Sequence, residues 1–448
     1  MFDHDNELAL LKRALDVLDE GFAHLPQHQA GVDVEAAWPV LEQLARCMRD
    51  NYPYFHPQYA GQMLKPPHPV ARIAYALALW INPNNHALDG GRASSALEKE
   101  CVSALGAMFG WDHPLGHLTG GGTMANMEAL WVSGRLRPGK KILASDQAHY
   151  THGRISEVLQ LPFSAVAADA SGRMDLEDLE RQLGHGDVGT VVVTLGTTGL
   201  GTVDPLADIL AMQQRHDFRI HVDAAYGGYF VLCDGLGEEA RRHFDSMHQV
   251  DSIVIDPHKH GLQPYGCGCV LFRDREVARI YLHESPYTYY SSDELHLGEI
   301  SLECSRAGAA ATALWATQQL LPMARGGRFA GDLDRCLAAA TELYRLLAQS
   351  SQFHPLYQPE LDILVYAVAA DDTRDASQRA ARLFDRAAEN ELHLALIDLP
   401  TSLVHDRLGD MEINSETVTC LRSVLMKSEQ VDWTRRIFEL LCRCADAG

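Results

Sequence analysis

The sequence predicts an α/β fold, a mostly parallel central sheet flanked by helices, with a smaller α+β domain at its C-terminal end. Three observations predict it. From about residue 117, short β-branched and apolar runs alternate with amphipathic stretches, the pattern of strands joined by helical crossovers. Two of these runs, RIHVD and SIVID, break off abruptly in polar residues, as buried strands do when their carboxyl ends open into a ligand crevice. Beyond about residue 330 the regular alternation stops and helices and strands follow in mixed order.

Taken in order, MFDHDNELALLKRALDVLDEGF reads as an amphipathic helix, and NYPYFHPQYAGQMLKPPHP as a loop-rich arm, dense in Pro, Tyr and His. ARIAYALALWI is an apolar helix or buried segment; after it, Ser94 or Ser95 is expected to cap a helix with Glu98 and Glu100 in its first turns. A glycine loop and helix occupy 118–135. KILAS, FSAVAAD, VGTVVVTLGTT, RIHVDAA, SIVIDPHK and GCVLFRD read as strands. HGRISEVLQ, LEDLERQL and LADILAMQQRH read as the helices between them. SPYTYYSSDELHLGEI reads as a polar, aromatic loop, and SLECSRAGAAATALWATQQLLPM begins a long helix. Helices at 332–349 and 375–390, strands LDILVYAV, LHLALID and TVTCLRSVLM, and a final helix from Trp433 complete the chain. The boundaries expected are an N-terminal helical arm (1–70), a large α/β domain (71–330) and a small α+β domain (331–448).

Composition narrows the function. The 448 residues carry a net charge of −22, which argues against nucleic acid or an anionic membrane as a main partner. No run approaches the roughly 20 apolar residues a membrane span needs. The N-terminal stretch lacks the basic and apolar regions of a secretory signal, and ten cysteines without one fit free thiols in a reducing cytoplasm. The C-x-C pairs Cys267/Cys269 and Cys442/Cys444 read as structural thiols and not as a metal site, since no C-x-x-C accompanies them.

The chemistry gathers at strand ends. In a parallel sheet successive strands aim their carboxyl ends at one edge. Here that edge collects His149 after KILAS, Thr197 and Thr198 after VVVTLG, Asp223 after RIHV and Lys259 after SIVI. Gly120 to Thr123 turn into a helix, where consecutive N–H groups and the positive helix end make an anion seat. Each piece has an ordinary structural explanation: a tight turn, a surface aspartate, a core histidine. A lysine directly after a buried strand is harder to explain away, because lysine is rarely inside unless used. Together they match the needs of pyridoxal 5′-phosphate: a lysine for a Schiff base, a seat for the phosphate, a carboxylate at the pyridine nitrogen and a flat partner for the ring.

The segments SDQAHYTHGR, TLGTTGLGTVDPL, HVDAAYGG and SIVIDPHKHG, in this order and spacing, resemble the group II pyridoxal-phosphate-dependent amino-acid decarboxylases. LTGGGTMANMEAL resembles that family's glycine loop, and HPQYAGQM and LRSVLM its flanking regions. DPHKHGLQPYGCGCVLF and SLECSRAGAAATALW look most like the bacterial and archaeal tyrosine/aspartate decarboxylase branch. The resemblance implies fold type I, the aspartate-aminotransferase-like fold, in a homodimer with active sites at the interface and the N-terminal arm around the partner. It implies Lys259 as the Schiff-base lysine, Asp223 at the pyridinium nitrogen, and His149 and Ala225 on the two ring faces. Thr198 would lie near the ring's 3-oxygen, and Gly122, Thr123 and His258 would hold the phosphate. The donor that returns a proton to Cα stays open between Tyr289, on the loop with Tyr287 and Tyr290, and His149 or Lys259. Arg306 either holds a carboxylate or anchors the helix that follows it. The expected reaction is decarboxylation of an L-amino acid, aromatic first and aspartate or another acidic one second. The alternatives are aldehyde synthesis or carbon–carbon lysis with the same cofactor, and a non-catalytic homologue that kept the fold.

Overall fold

A computed structural model describes residues 3–26, 31–87, 89–282 and 297–446. Its strands are β1 (Leu115–Thr119), β2 (Lys141–Ser145), β3 (Phe163–Val166), β4 (Val188–Thr194), β5 (Arg219–Asp223), β6 (Ser252–Ile255), β7 (Gly268–Phe272), β8 (Phe353–Pro355), β9 (Ile363–Val368), β10 (Ala395–Pro400) and β11 (Thr417–Val424). Among the described residues β1 to β7 form one sheet in the order β1-β7-β6-β5-β4-β2-β3. The pairings from β6 through β3 are parallel; β7 runs antiparallel to both β6 and β1. The alternating pattern therefore predicts the sheet correctly. All seven residues of β4, VGTVVVT, are buried, as expected of a central parallel strand covered on both faces.

Strands β2, β4, β5 and β6 are neighbours in space, so the four runs that end in reactive groups deliver them side by side. β5 and β6 are in register with Asp223 opposite Val254, which sets Asp223 one residue short of the turn that carries Asp256 to Lys259. A second sheet, β10-β11-β9-β8, is antiparallel throughout and packs its own apolar cluster against the helices Arg328–Ala348, Thr373–Glu389 and Gln430–Asp446.

Two strands escape the sequence reading. LGHLT (β1) has a glycine and few β-branched residues, and only its pairing with β7 makes it a strand. FHP (β8) is three residues long and ends in proline, which an edge strand tolerates. The expected serine cap is corrected too. Gly91 caps the helix Arg92–Met108, and Ser94, Ser95 and Glu98 are buried within it. Glu98 lies past the first turn of this helix and is buried. Its carboxylate accepts from Arg306 Nη1 (2.6 Å), Asn85 Nδ2 (2.6 Å) and the Leu118 N–H (2.9 Å). Arg306 also donates to the Leu118 carbonyl (2.6 Å), so this pair ties the chain before the helix Gly308–Leu320 to β1, just ahead of the glycine loop.

Both members of that pair are almost fully buried, so removing one strands the other's charge. Arg306→Leu is expected to cost roughly 3–5 kcal/mol, read as the loss in denaturant midpoint at constant slope. Replacing both residues by apolar ones of similar volume is expected to recover most of it.

Candidate active site

The carboxyl ends of β2, β4, β5 and β6 wall a cleft of about 600 Å³, inside the size range of small-ligand sites. Gly122, Thr123, His149, Thr198, Asp223, Ala225, His258 and Lys259 all line it. Thr197 does not: it is fully buried and its hydroxyl bonds Thr202 Oγ1 (2.8 Å), which closes the loop that presents Thr198. Tyr287, Tyr289 and Tyr290 lie outside the described residues. Arg306 is engaged with Glu98 and does not line the cleft.

Asp223 is the most constrained group. It is 5% exposed. Its Oδ2 faces His152 Nε2 (2.9 Å) and accepts from Asn126 Nδ2 (3.2 Å), and its Oδ1 accepts the Ala225 N–H (3.1 Å). Burial alone would raise its pKa, but the His152 hydrogen bond, Lys259 and the Ala225 N–H outweigh it and hold the carboxyl well below the usual carboxylate range. Behind it, Asn126 Oδ1 accepts from His221 Nε2 (2.8 Å), and His221 Nδ1 meets Ser252 Oγ (2.8 Å). Burial lowers the His221 pKa to about 3, so the ring is neutral and fixes which way the Asn126 amide points.

Lys259 Nζ lies 3.1 Å from Asp256 Oδ2, in the tight turn after β6 that the Lys259 N–H closes on the Asp256 carbonyl (2.9 Å). Asp256 Oδ1 is buried without a partner among the described residues. His258 donates from Nδ1 to the Cys267 carbonyl (2.8 Å), and burial lowers its pKa. His149 is half-buried, bonded through Nδ1 to Thr151 Oγ1 (2.8 Å), its pKa also lowered by burial first of all.

At the cleft floor, Gly121 has φ of +148° and ψ of 173°, a backbone shape that essentially only glycine adopts, and it caps the helix Gly122–Leu136. A Cβ on Gly122 would sit 2.7 Å from Asp256 Oδ2. The first N–H groups of this helix are thus free of side-chain cover from within the loop; the Gly120 N–H instead meets Glu303 Oε2 (2.9 Å). The cleft fits pyridoxal phosphate. It sets an amine, a charged carboxylate and a helix N-terminus bearing unshielded N–H groups around one space of suitable volume.

The family comparison agrees. Residues 131–368 match the pyridoxal-dependent decarboxylase conserved domain. The chain belongs to the pyridoxal-dependent decarboxylase family. It is similar to a probable L-tyrosine/L-aspartate decarboxylase of Methanothrix thermoacetophila, 30% identical over 364 residues, covering 77% of this chain and 90% of that protein. The corresponding protein of Methanothermobacter thermautotrophicus is 29% identical over 333 residues, covering 72% of this chain and 86% of its own length. The crystal structure of mouse CSAD in apo form superposes with a TM-score of 0.77 over 95% of this chain and 91% of that one, at 23% identity. This decarboxylase is therefore a pyridoxal-phosphate-dependent carboxy-lyase of fold type I, with its mostly parallel large sheet and smaller antiparallel C-terminal sheet. No helix among its described residues is long and apolar enough to cross a membrane.

Sequence reasoning missed His152, Asn126 and His221 as parts of the site. His221 and His152 sit inside quoted motifs, but nothing in one chain's spacing says that they face Asp223. The glycine geometry yields a prediction. Gly122→Val is expected to push Asp256 off Lys259 and weaken cofactor binding by about tenfold or more, on the overpacking scale of 1–3 kcal/mol, measured by absorbance titration of the apoenzyme.

Proposed function

We propose that this decarboxylase acts on an aromatic L-amino acid, tyrosine favoured over aspartate, releasing CO2 and the amine through a Schiff base at Lys259. The observation that carries the substrate reading is the charge of the cleft wall. Among the described residues it presents Tyr265, Tyr226, the carboxylates Asp223, Glu303 and Asp256, the amine of Lys259, and no arginine. A second carboxylate on the substrate would meet like charge there, whereas a phenol meets aromatic edges and acceptors. The two archaeal relatives carry both substrates in their names.

Bound pyridoxal phosphate supplies an electron sink for the bond that breaks at Cα. The chain's own groups do the rest. Lys259 would hold the cofactor through its amine, which Asp256 pairs at 3.1 Å. Asp223, kept ionised, would keep the ring nitrogen protonated. His149 and Ala225 would flank the ring, Thr198 would meet its 3-oxygen, and Gly122, Thr123 and His258 would hold the phosphate. Held at these points, the group would leave the cleft to orient the substrate's Cα–carboxylate bond. Return of the proton to Cα would fall to Tyr289, with His149 and Lys259 as the alternative donors.

The remaining parts of the reading are a homodimer with the active sites at its interface, a cytoplasmic location, and three segments divided near residues 70 and 330. The helices His4–Phe22 and Val34–Met48 bury no residue and expose Leu8, Val17, Trp38 and Leu44, apolar surface that a partner subunit would cover. The seven-stranded sheet lies within 71–330 and the four-stranded one within 331–448.

Two measurements test this function. Borohydride reduction of the holoenzyme is expected to add the cofactor's mass to the peptide bearing Lys259, and to add none in Lys259→Ala. In a panel of amino acids, amine and CO2 are expected in equal amounts, with kcat/KM for tyrosine at least about tenfold above aspartate, the discrimination one unfavourable charge contact produces. Faster aspartate turnover overturns the substrate; aldehyde and peroxide in place of amine overturn the reaction.

A further inference from the structure

The turn after β2 delivers two imidazoles three residues apart. His149 lines the cleft. His152, on the first turn of the helix Thr151–Val158, reaches Asp223 from outside it: it is 1% exposed and does not line the cleft. Its Nε2 is 2.9 Å from Asp223 Oδ2, while its Nδ1 is buried with no partner among the described residues. A proton on Nδ1 would be a buried donor without an acceptor, so the geometry favours the ring that donates through Nε2 alone. The carboxylate then has Oδ2 filled by His152 and Asn126, which leaves Oδ1, bonded to the Ala225 N–H, as the oxygen with room for a further donor.

We propose that His152 is a positioning residue for decarboxylation: it fixes the rotation of the Asp223 carboxylate and keeps it ionised, so that Oδ1 is presented to the cofactor's ring nitrogen. This rests on the pairing of Asp223 with that nitrogen, proposed above. The physical need is plain. A carboxyl this deeply buried tends to take up a proton, and a neutral acid cannot hold a pyridinium. Asn126 and a single backbone N–H supply two donors; His152 adds a third, at 2.9 Å the shortest of the three contacts. The neighbouring titratable groups do not replace it. His149 comes from the same turn, His221 reaches Asp223 only through Asn126, and Lys259 is engaged by Asp256.

The sign follows. Asp223 has a depressed pKa, so its contribution is present at neutral pH and lost as pH falls through that value. Without His152 the pKa rises and the loss moves to higher pH.

The test follows cofactor retention by the holoenzyme, read from its absorbance band after dialysis at pH values from 8 down to the onset of acid unfolding. In His152→Leu the midpoint of cofactor loss is expected about one to three pH units above wild type. In His152→Gln, whose amide can donate from nearly the place of Nε2, it is expected to stay with wild type. A His152→Leu midpoint equal to wild type, or a His152→Gln midpoint equal to that of the leucine variant, overturns the proposal. Asp223→Asn separates the two readings: if it leaves retention unchanged at every pH, the pairing itself fails and His152 with it. If it disrupts retention and His152→Leu does not, only the role of His152 fails. Should the leucine variant not fold, the nitrogen-15 spectrum of histidine-labelled wild type decides. The His152 signal, assigned by its loss in His152→Gln, must show a protonated Nε2 and a bare Nδ1; a bare Nε2 overturns the proposal.

Discussion

The buried carboxylate of Asp223 is the constraint on which the rest of the site depends. A charge inside a protein survives only if fixed donors replace the water it has lost. Three separate pieces of chain supply them: the turn after β2 gives His152, the helix after the glycine loop gives Asn126, and the Ala225 N–H comes from the acid's own strand end. None of these can be placed until β2, β4, β5 and β6 stand in order. The sheet is thus a device for bringing donors from distant sequence to one carboxylate.

The glycine loop answers a second constraint. An anion seat requires backbone N–H groups that nothing shields, and a helix start gives them only if the chain can turn in closely. Gly121 takes a conformation that other residues rarely adopt, and a side chain on Gly122 would have to displace the Asp256 carboxylate. The Arg306–Glu98 pair ties the same corner from outside, through Leu118, two residues before the loop. Arg306 bonds Glu98 and the Leu118 carbonyl and does not line the cleft, which are the contacts expected of the anchoring role.

Lys259 and Asp223 illustrate how sequence distance is turned into chemistry. They are separated by a strand connection that is mostly helical, yet β5 and β6 are adjacent and parallel, so both emerge at one edge. Asp256 lies in the same turn as Lys259 and pairs with it, so the cleft that holds Asp223 also brings a carboxylate to the amine.

The amino-acid sequence by itself determined the parallel sheet, because β-branched runs alternating with amphipathic helices leave few other ways to bury their apolar faces. It also determined which groups share the cleft edge, since strand direction alone decides where Asp223, Lys259, His149 and Thr198 emerge. Only the tertiary structure decided what holds them. His152, Asn126 and His221 look like any polar residues within their motifs until three elements converge; β1 is a strand only because β7 pairs with it; and Glu98, legible as an acid in the first turns of a helix, is a buried anchor. Local pattern encodes direction and burial of each element. The partners of a buried charge come from elsewhere in the chain, and no local pattern records them.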